Sequence, residues 1–249
     1  MDKLIITDLD GTLLLNSVKI ERQDLEKFRE FQKKYIIGVA TGRSIKEIEY
    51  IEKENGLKFT YKIGFNGAQI QKNDTTIFEK HMDNKILNKL YEFIKKHDLI
   101  FDALDGDQRI GNFSHENPKT LWNMELICRN DPYELLKGRV IYKVNIRPKE
   151  EESDAILNEL KNEFKDLSIF KTAKRRIEVC ANGLSKGIAI EKIKEKEPLY
   201  VISLGDSGND ISMFEKSDYA ICMAHAPENV KIKANRVVER ISKISTVKK

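Results

Sequence analysis

Five short apolar runs, separated by helical patterns, constrain this chain more than any other feature it carries. They are Leu4 to Thr7, Tyr35 to Thr41, Lys62 to Phe65, Leu199 to Gly205 and Tyr219 to Met223, each ending in turn-forming or polar residues. Continuous apolarity, as opposed to alternation, marks strands buried on both faces, which is the pattern of a parallel sheet covered by helices. The segments between the runs supply those helices. Leu25, Phe28 and Phe31 fall on one face of the first, and Ile45, Ile48 and Ile51 on one face of the second. Ser44 and Glu47 have the spacing of a capping box at the start of that second helix. Strands and helices in alternation predict an α/β fold with a doubly wound, Rossmann-like parallel sheet.

The middle of the chain breaks this rhythm. Between residues 82 and 181 the expected order is helix, hairpin, helix, strand, helix, hairpin. Ile86, Leu87, Leu90, Phe93 and Ile94 mark one amphipathic helix, and Ile156, Leu157, Leu160 and Phe164 another. One hairpin runs from Phe101 to Phe113 around Asp105-Gly106, the other from Ser168 to Cys180 around Ala173 and Lys174. The chain therefore divides into a core made of residues 1–81 and 182–249, with an α+β domain of residues 82–181 inserted in it.

Composition narrows the function classes. With 40% apolar residues, 249 residues suffice for a sizeable core. No run of 18 apolar residues is present, and the stretch from Met1 to Asp10 soon turns acidic, unlike a secretory signal, so a cytoplasmic enzyme without a membrane anchor is expected. Lys and Arg exceed Asp and Glu by four, 44 against 40, and are spread over helical faces, a distribution that points away from nucleic acid. The basic stretch from Lys231 onward, opposed only by Glu239, reads as a solvated helix and a frayed end. Cys128, Cys180 and Cys222 lack the spacing of a zinc site or a disulfide framework and read as small buried hydrophobes. Nothing in the pattern indicates an oligomeric state.

The polar segments that could carry chemistry fall at the carboxyl ends of the expected strands, where open parallel sheets bind ligands. Asp8 follows the first strand, Thr41 ends the second, and Asp206 follows the strand Leu199 to Gly205. Asp8-Leu9-Asp10-Gly11-Thr12 sets two carboxylates two residues apart, so one can attack while the other handles protons. Phosphoryl transfer needs such parts, because its difficulty is largely positioning and charge neutralisation and a carboxylate can be the covalent nucleophile. An isolated Asp-x-Asp is more often a solvated turn. Gly205-Asp206-Ser207-Gly208-Asn209-Asp210 adds two carboxylates, and crowded carboxylates repel unless protonated or bound to a cation. Hard oxygen ligands beside a phosphate favour Mg2+. The same segment also reads as a polar turn capping a helix over Ile211 to Phe214. Thr41-Gly42-Arg43 offers a hydroxyl and backbone N–H groups, and Ser185-Lys186-Gly187 an ammonium at a helix start, both suited to phosphate oxygens. The glycine spacing of a P-loop is absent.

Taken in order, Asp8-Leu9-Asp10-Gly11-Thr12-Leu13, Ala40-Thr41-Gly42-Arg43, Asn66-Gly67-Ala68, Ser185-Lys186-Gly187 and Gly205-Asp206-Ser207-Gly208-Asn209-Asp210-Ile211 resemble the motifs of the haloacid dehalogenase superfamily. Within it the chain is similar to the Cof-type phosphatases, whose large α+β (C2-type) cap is inserted in the core, and the resemblance covers nearly the full length. It implies Asp8 as nucleophile and magnesium ligand, Asp10 as acid and base with its backbone carbonyl on the metal, and Asp206 as the third ligand. Thr41 and Lys186 would hold phosphate, with Leu9 and Gly42 as backbone donors. Asn209 and Asp210 would support the phosphate, the metal or Lys186, with Ser207 beside them. The implied activity is magnesium-dependent hydrolysis of a small phosphorylated metabolite, a sugar phosphate first, through an aspartyl-phosphate.

Two segments depart from the family pattern. Ala224-His225-Ala226-Pro227 stands where relatives carry Gly-Asn-Ala, which leaves His225 open as a solvated or a site residue, and Ser242 to Lys249 lacks their acidic, glycine-bearing tail. The same residues also suit a phosphomutase, which passes the phosphate to a sugar instead of water. A non-catalytic phosphometabolite sensor is the third reading, and the intact Asp8 and Asp10 argue against it. The insert would select the substrate, and in it Lys171, Lys174, Arg175 and Arg176 cluster near one turn, which reads equally as an anion-binding or a solvated surface.

Overall fold

The first apolar run becomes β1 (Asp2–Thr7), with Leu4, Ile5, Ile6 and Thr7 all removed from solvent. The computed structural model describes residues 1–15, 19–116 and 121–244. After β1 come α1 (Arg22–Gln32), β2 (Ile36–Ala40), α2 (Ile45–Asn55) and β3 (Tyr61–Gly64). The capping box forms: the Ser44 hydroxyl accepts from Glu47 N at 3.1 Å, and Glu47 Oε2 accepts from Ser44 N at 2.9 Å. A hairpin, β4 (Gln69–Lys72) and β5 (Thr75–Glu79), then extends the sheet beyond β3.

The chain divides into two compact units, residues 1–78 with those from Ser185 onward, and Glu79–Leu184. The second unit contains α3 (Asn84–Lys96), β6 (Ile100–Leu104), β7 (Gln108–Gly111), β8 (Glu125–Cys128), α4 (Tyr133–Leu136), β9 (Lys143–Arg147), α5 (Ser153–Glu163), β10 (Leu167–Ala173) and β11 (Arg176–Ala181). Its sheet has six strands in the order β10-β11-β9-β6-β7-β8. Register pairs Phe101 with Ile146 and Ala103 with Val144, so alternate residues build one apolar face, and it pairs Asp102 with Asn145 and Asn145 with Glu178 on the other. Asp83 caps α3 by accepting from Lys85 N and Ile86 N, and Phe93 of α3 meets Phe164 edge to face at 5.8 Å. The single strand of the expected order is β9, and β8, which pairs with β7 in parallel, has no counterpart in that order.

The chain returns to the first unit through α6 (Lys186–Lys196), β12 (Leu199–Gly205), α7 (Ile211–Lys216), β13 (Tyr219–Met223), α8 (Glu228–Lys231) and β14 (Arg236–Val238). The eight-stranded sheet runs β14-β13-β12-β1-β2-β3-β4-β5, parallel from β14 to β3 and antiparallel from β3 to β4. Leu4, Ile6, Ile63, Val201, Ile190 and Phe214 are among the side chains that fill its core, each aliphatic one contributing about 1.5–3 kcal/mol on burial. No helix among the described residues is long and apolar enough to cross a membrane.

The basic stretch after Lys231 corrects the sequence reading, for it is not a solvated helix. It forms β14 and then a 3-10 turn over Ile241–Lys243, with Val238, Ile241 and Ile244 buried. The cause is apolar residues that need cover and one specific anchor: buried Asp24 of α1 takes Arg240 Nη2 at 3.0 Å and Ser242 N at 2.7 Å. The frayed end expected over residues 245–249 lies outside the described residues.

Candidate active site

Asp8 leaves the end of β1 with its N–H bonded to Leu204 O at 2.9 Å, which ties the start of the loop to β12, and it is only 4% exposed. The loop then turns back, with Leu14 N and Thr12 N both bonded to Leu9 O. Gly11 has φ +89, and a Cβ there would run into the Asp206 carboxylate. Glycine thus serves the backbone angle and the close approach together. Thr12 Oγ1 donates to Asp206 Oδ1 at 2.7 Å, so the loop after β1 is stitched to the loop after β12.

Beyond β12, a 3-10 turn over Gly208–Asp210 folds the second acidic segment on itself. Asp210, fully buried, accepts from Asp206 N and Ser207 N through Oδ2, at 3.0 Å each. Its other oxygen, Oδ1, accepts from Lys186 Nζ at 2.6 Å, and Asp8 Oδ1 accepts from the same ammonium at 2.7 Å. Lys186 opens α6, whose cap is the Ser185 hydroxyl accepting from Ile188 N at 3.1 Å. The neighbouring Gly187 lets α6 press against α7, since a Cβ there would collide with Ser212 O. That close packing brings a wholly buried lysine to two carboxylates.

The electrostatics follow from this crowding. Burial pushes the Asp8 carboxyl up, Lys186 pulls it back, and Asp210 and Asp206 push again, leaving it well above the usual carboxylate range. Asp206 is also raised, by burial first, with its Thr12 bond opposing. For Lys186 burial opposes the charge, but Asp210 and Asp8 outweigh it and hold the ammonium protonated. One oxygen from each of Asp8, Asp206 and Asp210 lies within 4.8 Å of the others. Three carboxylates, whose oxygens are hard ligands, against one ammonium fit a divalent cation such as Mg2+. Because both Asp210 oxygens already accept hydrogen bonds, Asp8 and Asp206 are the side chains best placed to hold one.

Thr41, just past β2, is buried; its carbonyl accepts from Asn66 N at 2.9 Å and its hydroxyl accepts from Arg43 N at 3.2 Å. Asn66, at φ 56, turns its side chain to accept from Asn209 Nδ2 at 3.2 Å, and Ser207 Oγ donates to Asn209 Oδ1 at 2.5 Å. Leu9 is buried in the loop after β1, and Gly42 follows Thr41 in the loop after β2. Asp10 is placed differently from the other acids: its carboxylate faces Arg43, with Nε to Oδ2 and Nη2 to Oδ1 both at 2.7 Å. His225 follows β13 half exposed, with Nε2 3.5 Å from Asp206 Oδ2, so the segment that departs from the family pattern lies at the edge of the acidic group. Sequence reasoning gave no role to Thr12, Arg43, Asn66 or Glu47 in this group. Their membership of the quoted motifs was a signal for the first three, while Glu47 read only as a helix cap.

The profile of haloacid dehalogenase-like hydrolases matches residues 5–248. An uncharacterised protein of Mycoplasma capricolum is 30% identical, over 98% of this chain and 99% of its own. A 5-amino-6-(5-phospho-D-ribitylamino)uracil phosphatase of Bacillus subtilis is 27% identical, over 95% of this chain and 90% of its own. A solved haloacid dehalogenase-like hydrolase from Bacteroides thetaiotaomicron shares the fold with a TM-score of 0.82 at 23% identity, covering 96% of this chain and 94% of that one.

Proposed function

The chain belongs to the haloacid dehalogenase-like hydrolases, and we propose that it is a magnesium-dependent phosphomonoesterase that works through an aspartyl-phosphate on Asp8. The observation that carries this reading is the buried Lys186 ammonium between Asp8 and Asp210, beside Asp206, at the carboxyl ends of parallel strands. The substrate is a small phosphorylated metabolite of the sugar-phosphate class. A relative along most of this chain is named for a phosphoribityl compound, which carries its phosphate on a sugar-derived alcohol. The enzyme is assigned to the cytoplasm, and residues 82–181 to the choice of substrate.

In the first step a carboxylate oxygen of Asp8 attacks phosphorus, and the bond from phosphorus to the substrate oxygen breaks. Asp10 gives its proton to the departing oxygen, because a sugar alkoxide is too basic to leave unprotonated. Water then attacks the aspartyl-phosphate, Asp10 takes back a proton, and inorganic phosphate leaves with Asp8 restored. Lys186 and Thr41 hold phosphoryl oxygens, and the N–H groups of Leu9 and Gly42 point donors at them. Asp8 and Asp206, with the Asp10 carbonyl, would hold Mg2+, whose contribution is to neutralise charge on the phosphoryl oxygens. Asp210 keeps Lys186 in place and fixes the Asp206 loop; Asn209 and Ser207 brace it against Asn66.

The test is phosphate release from a panel of phosphomonoesters, with magnesium and with chelator. Activity should vanish on exhaustive chelation and return with magnesium, and beryllium fluoride should trap on Asp8. Full turnover without metal would overturn the magnesium assignment. Transfer of phosphate to a sugar with no release to water would make the enzyme a mutase.

A further inference from the structure

Asp10 is 38% exposed on its side chain, and a short carboxylate in that setting can occupy several rotamers. Its position is nevertheless set by a guanidinium 33 residues away. Arg43 meets it with two parallel N–H bonds at 2.7 Å each, a fork that fixes the plane of the carboxylate as well as its place. Each carboxylate oxygen keeps a lone pair outside the fork. The fork itself favours the ionised form, and the proton that Asp10 takes from water in the hydrolytic step and gives to the next leaving oxygen sits on that outer lone pair, facing the substrate. Arg43 is itself only 15% exposed and is held from behind, where Nη1 donates to Glu47 Oε1 at 2.9 Å. Glu47 is fully buried and is the capping-box residue of α2, its Oε2 accepting from Ser44 N and Ser44 Oγ. A capping box is served by Gln as well as by Glu, so the cap alone does not call for a charge at this place. A fully buried carboxylate is retained where a cation meets it, and Arg43 is that cation.

We propose that Arg43 is the positioning residue of the proton donor, and that Glu47 ties it to the capped end of α2, so that the helix terminus aims Asp10 at the leaving oxygen. This rests on the reading of Asp10 as the acid. Arg43 touches no reacting atom in this scheme, and its effect passes wholly through Asp10. The dependence on leaving group then follows: an alkoxide needs the aimed proton, whereas nitrophenolate, a weak base, departs without it.

The experiment is single-turnover release of the leaving group from ribose 5-phosphate, phenyl phosphate and p-nitrophenyl phosphate. It compares the wild type with Asp10→Asn, Arg43→Ala, Arg43→Lys and Glu47→Gln. Arg43→Ala should slow the ribose 5-phosphate step by about 10²-fold, the scale of a 1 Å misplacement, with a smaller loss for phenyl phosphate and the smallest for p-nitrophenyl phosphate. Added guanidinium should restore much of that loss, and Arg43→Lys should recover less, since an ammonium cannot form the fork. Glu47→Gln keeps the cap and should show the same leaving-group order with a smaller loss, which covers the case that Arg43→Ala does not fold. If Asp10→Asn discriminates among leaving groups while the Arg43 and Glu47 variants slow all three equally, the positioning role is overturned and the acid stands. If Asp10→Asn shows no discrimination, the acid assignment itself falls.

Discussion

Each of the two units buries an aspartate almost completely, Asp8 in the first and Asp102 in the second, and burial alone would push both carboxyls up. They end on opposite sides of the ordinary value. For Asp102 the effect of burial is outweighed by Arg147 and Arg109 and by the hydrogen bonds of Asn145 and Arg147, and the carboxyl lies below the usual range. Asn145 Nδ2 donates to it at 2.8 Å, Arg109 Nη1 lies at 3.5 Å, and Arg147 Nη1 donates to the other oxygen while stacking on Phe113. Asp8 has one cation, Lys186, and two carboxylates near it, so it stays high. The difference teaches what burial is for in each place. Around Asp102 the protein completes its own charge balance, as a structural network does. Around Asp8 it leaves negative charge in excess, an arrangement that suits a cation and a nucleophile.

The same substitution made in both places is the strongest way to break this comparison. Asp8→Asn should abolish turnover, because an amide is a poor nucleophile, yet leave the metal-free protein as stable as the wild type or more so, since it removes a disfavoured charge. Thermal unfolding in chelator beside a phosphate-release assay reads both effects. A clear loss of metal-free stability would erase the distinction between the two sites.

Asp102→Asn should do the reverse, costing about 3–5 kcal/mol because Arg147 and Arg109 lose their counter-charge, without changing the magnesium requirement of the remaining activity. Urea unfolding measures it. The pH dependence follows from the direction of the shift: a depressed carboxyl adds stability that is fully present above its unfolded value and is lost as pH falls through its folded value. The gap between wild type and Asp102→Asn should therefore close in acid. A gap that widens in acid would mean that Asp102 is not held ionised.

The smallest effect on stability belongs to the basic turn. Lys171 pairs with Asp154 and Lys174 with Glu150 at 2.9 Å, while Arg175 and Arg176 line a cleft with Arg147 and Phe113. Replacing Lys171, Lys174, Arg175 and Arg176 together by Gln should leave unfolding nearly unchanged, since exposed ion pairs contribute little, but should reorder the substrates in the phosphomonoester panel. An unchanged ranking would reduce the turn to solvated surface.

Much of the first unit is legible in the sequence, because continuous apolarity locates its central strands and the residue after each strand falls at the binding edge of the sheet. That reasoning finds Asp8, Thr41 and Asp206. It misses the β4–β5 hairpin, whose turn is Asn73-Asp74, both at positive φ, flanked by strands that are mostly polar and half exposed at the sheet edge. It also misses β14, three residues long, which pairs with β13 and is followed by a turn anchored on Asp24 more than two hundred residues earlier. The contacts that join the acidic group are less legible still. Lys186 meets Asp8 across 178 residues of sequence, and Arg43 meets Asp10 from a different loop. Local pattern locates the strand ends; only tertiary packing decides which side chains meet across them.

The place of β1 in its sheet has a consequence for how the chain is made. β1 is bonded to β2 on one side and to β12 on the other, but β12 does not begin until Leu199. At the usual pace of translation the ribosome needs on the order of 10–40 s to travel from one to the other. Through that interval β1 has an open edge, a known invitation to pairing with other chains. Residues 79–184 form a contiguous unit and can emerge whole in the meantime. Synthesis therefore delivers the inserted unit first and closes the strand that carries Asp8 late, so a nascent chain stalled before Leu199 has neither Asp206 nor Asp210 and keeps only Asp8 of the three clustered carboxylates.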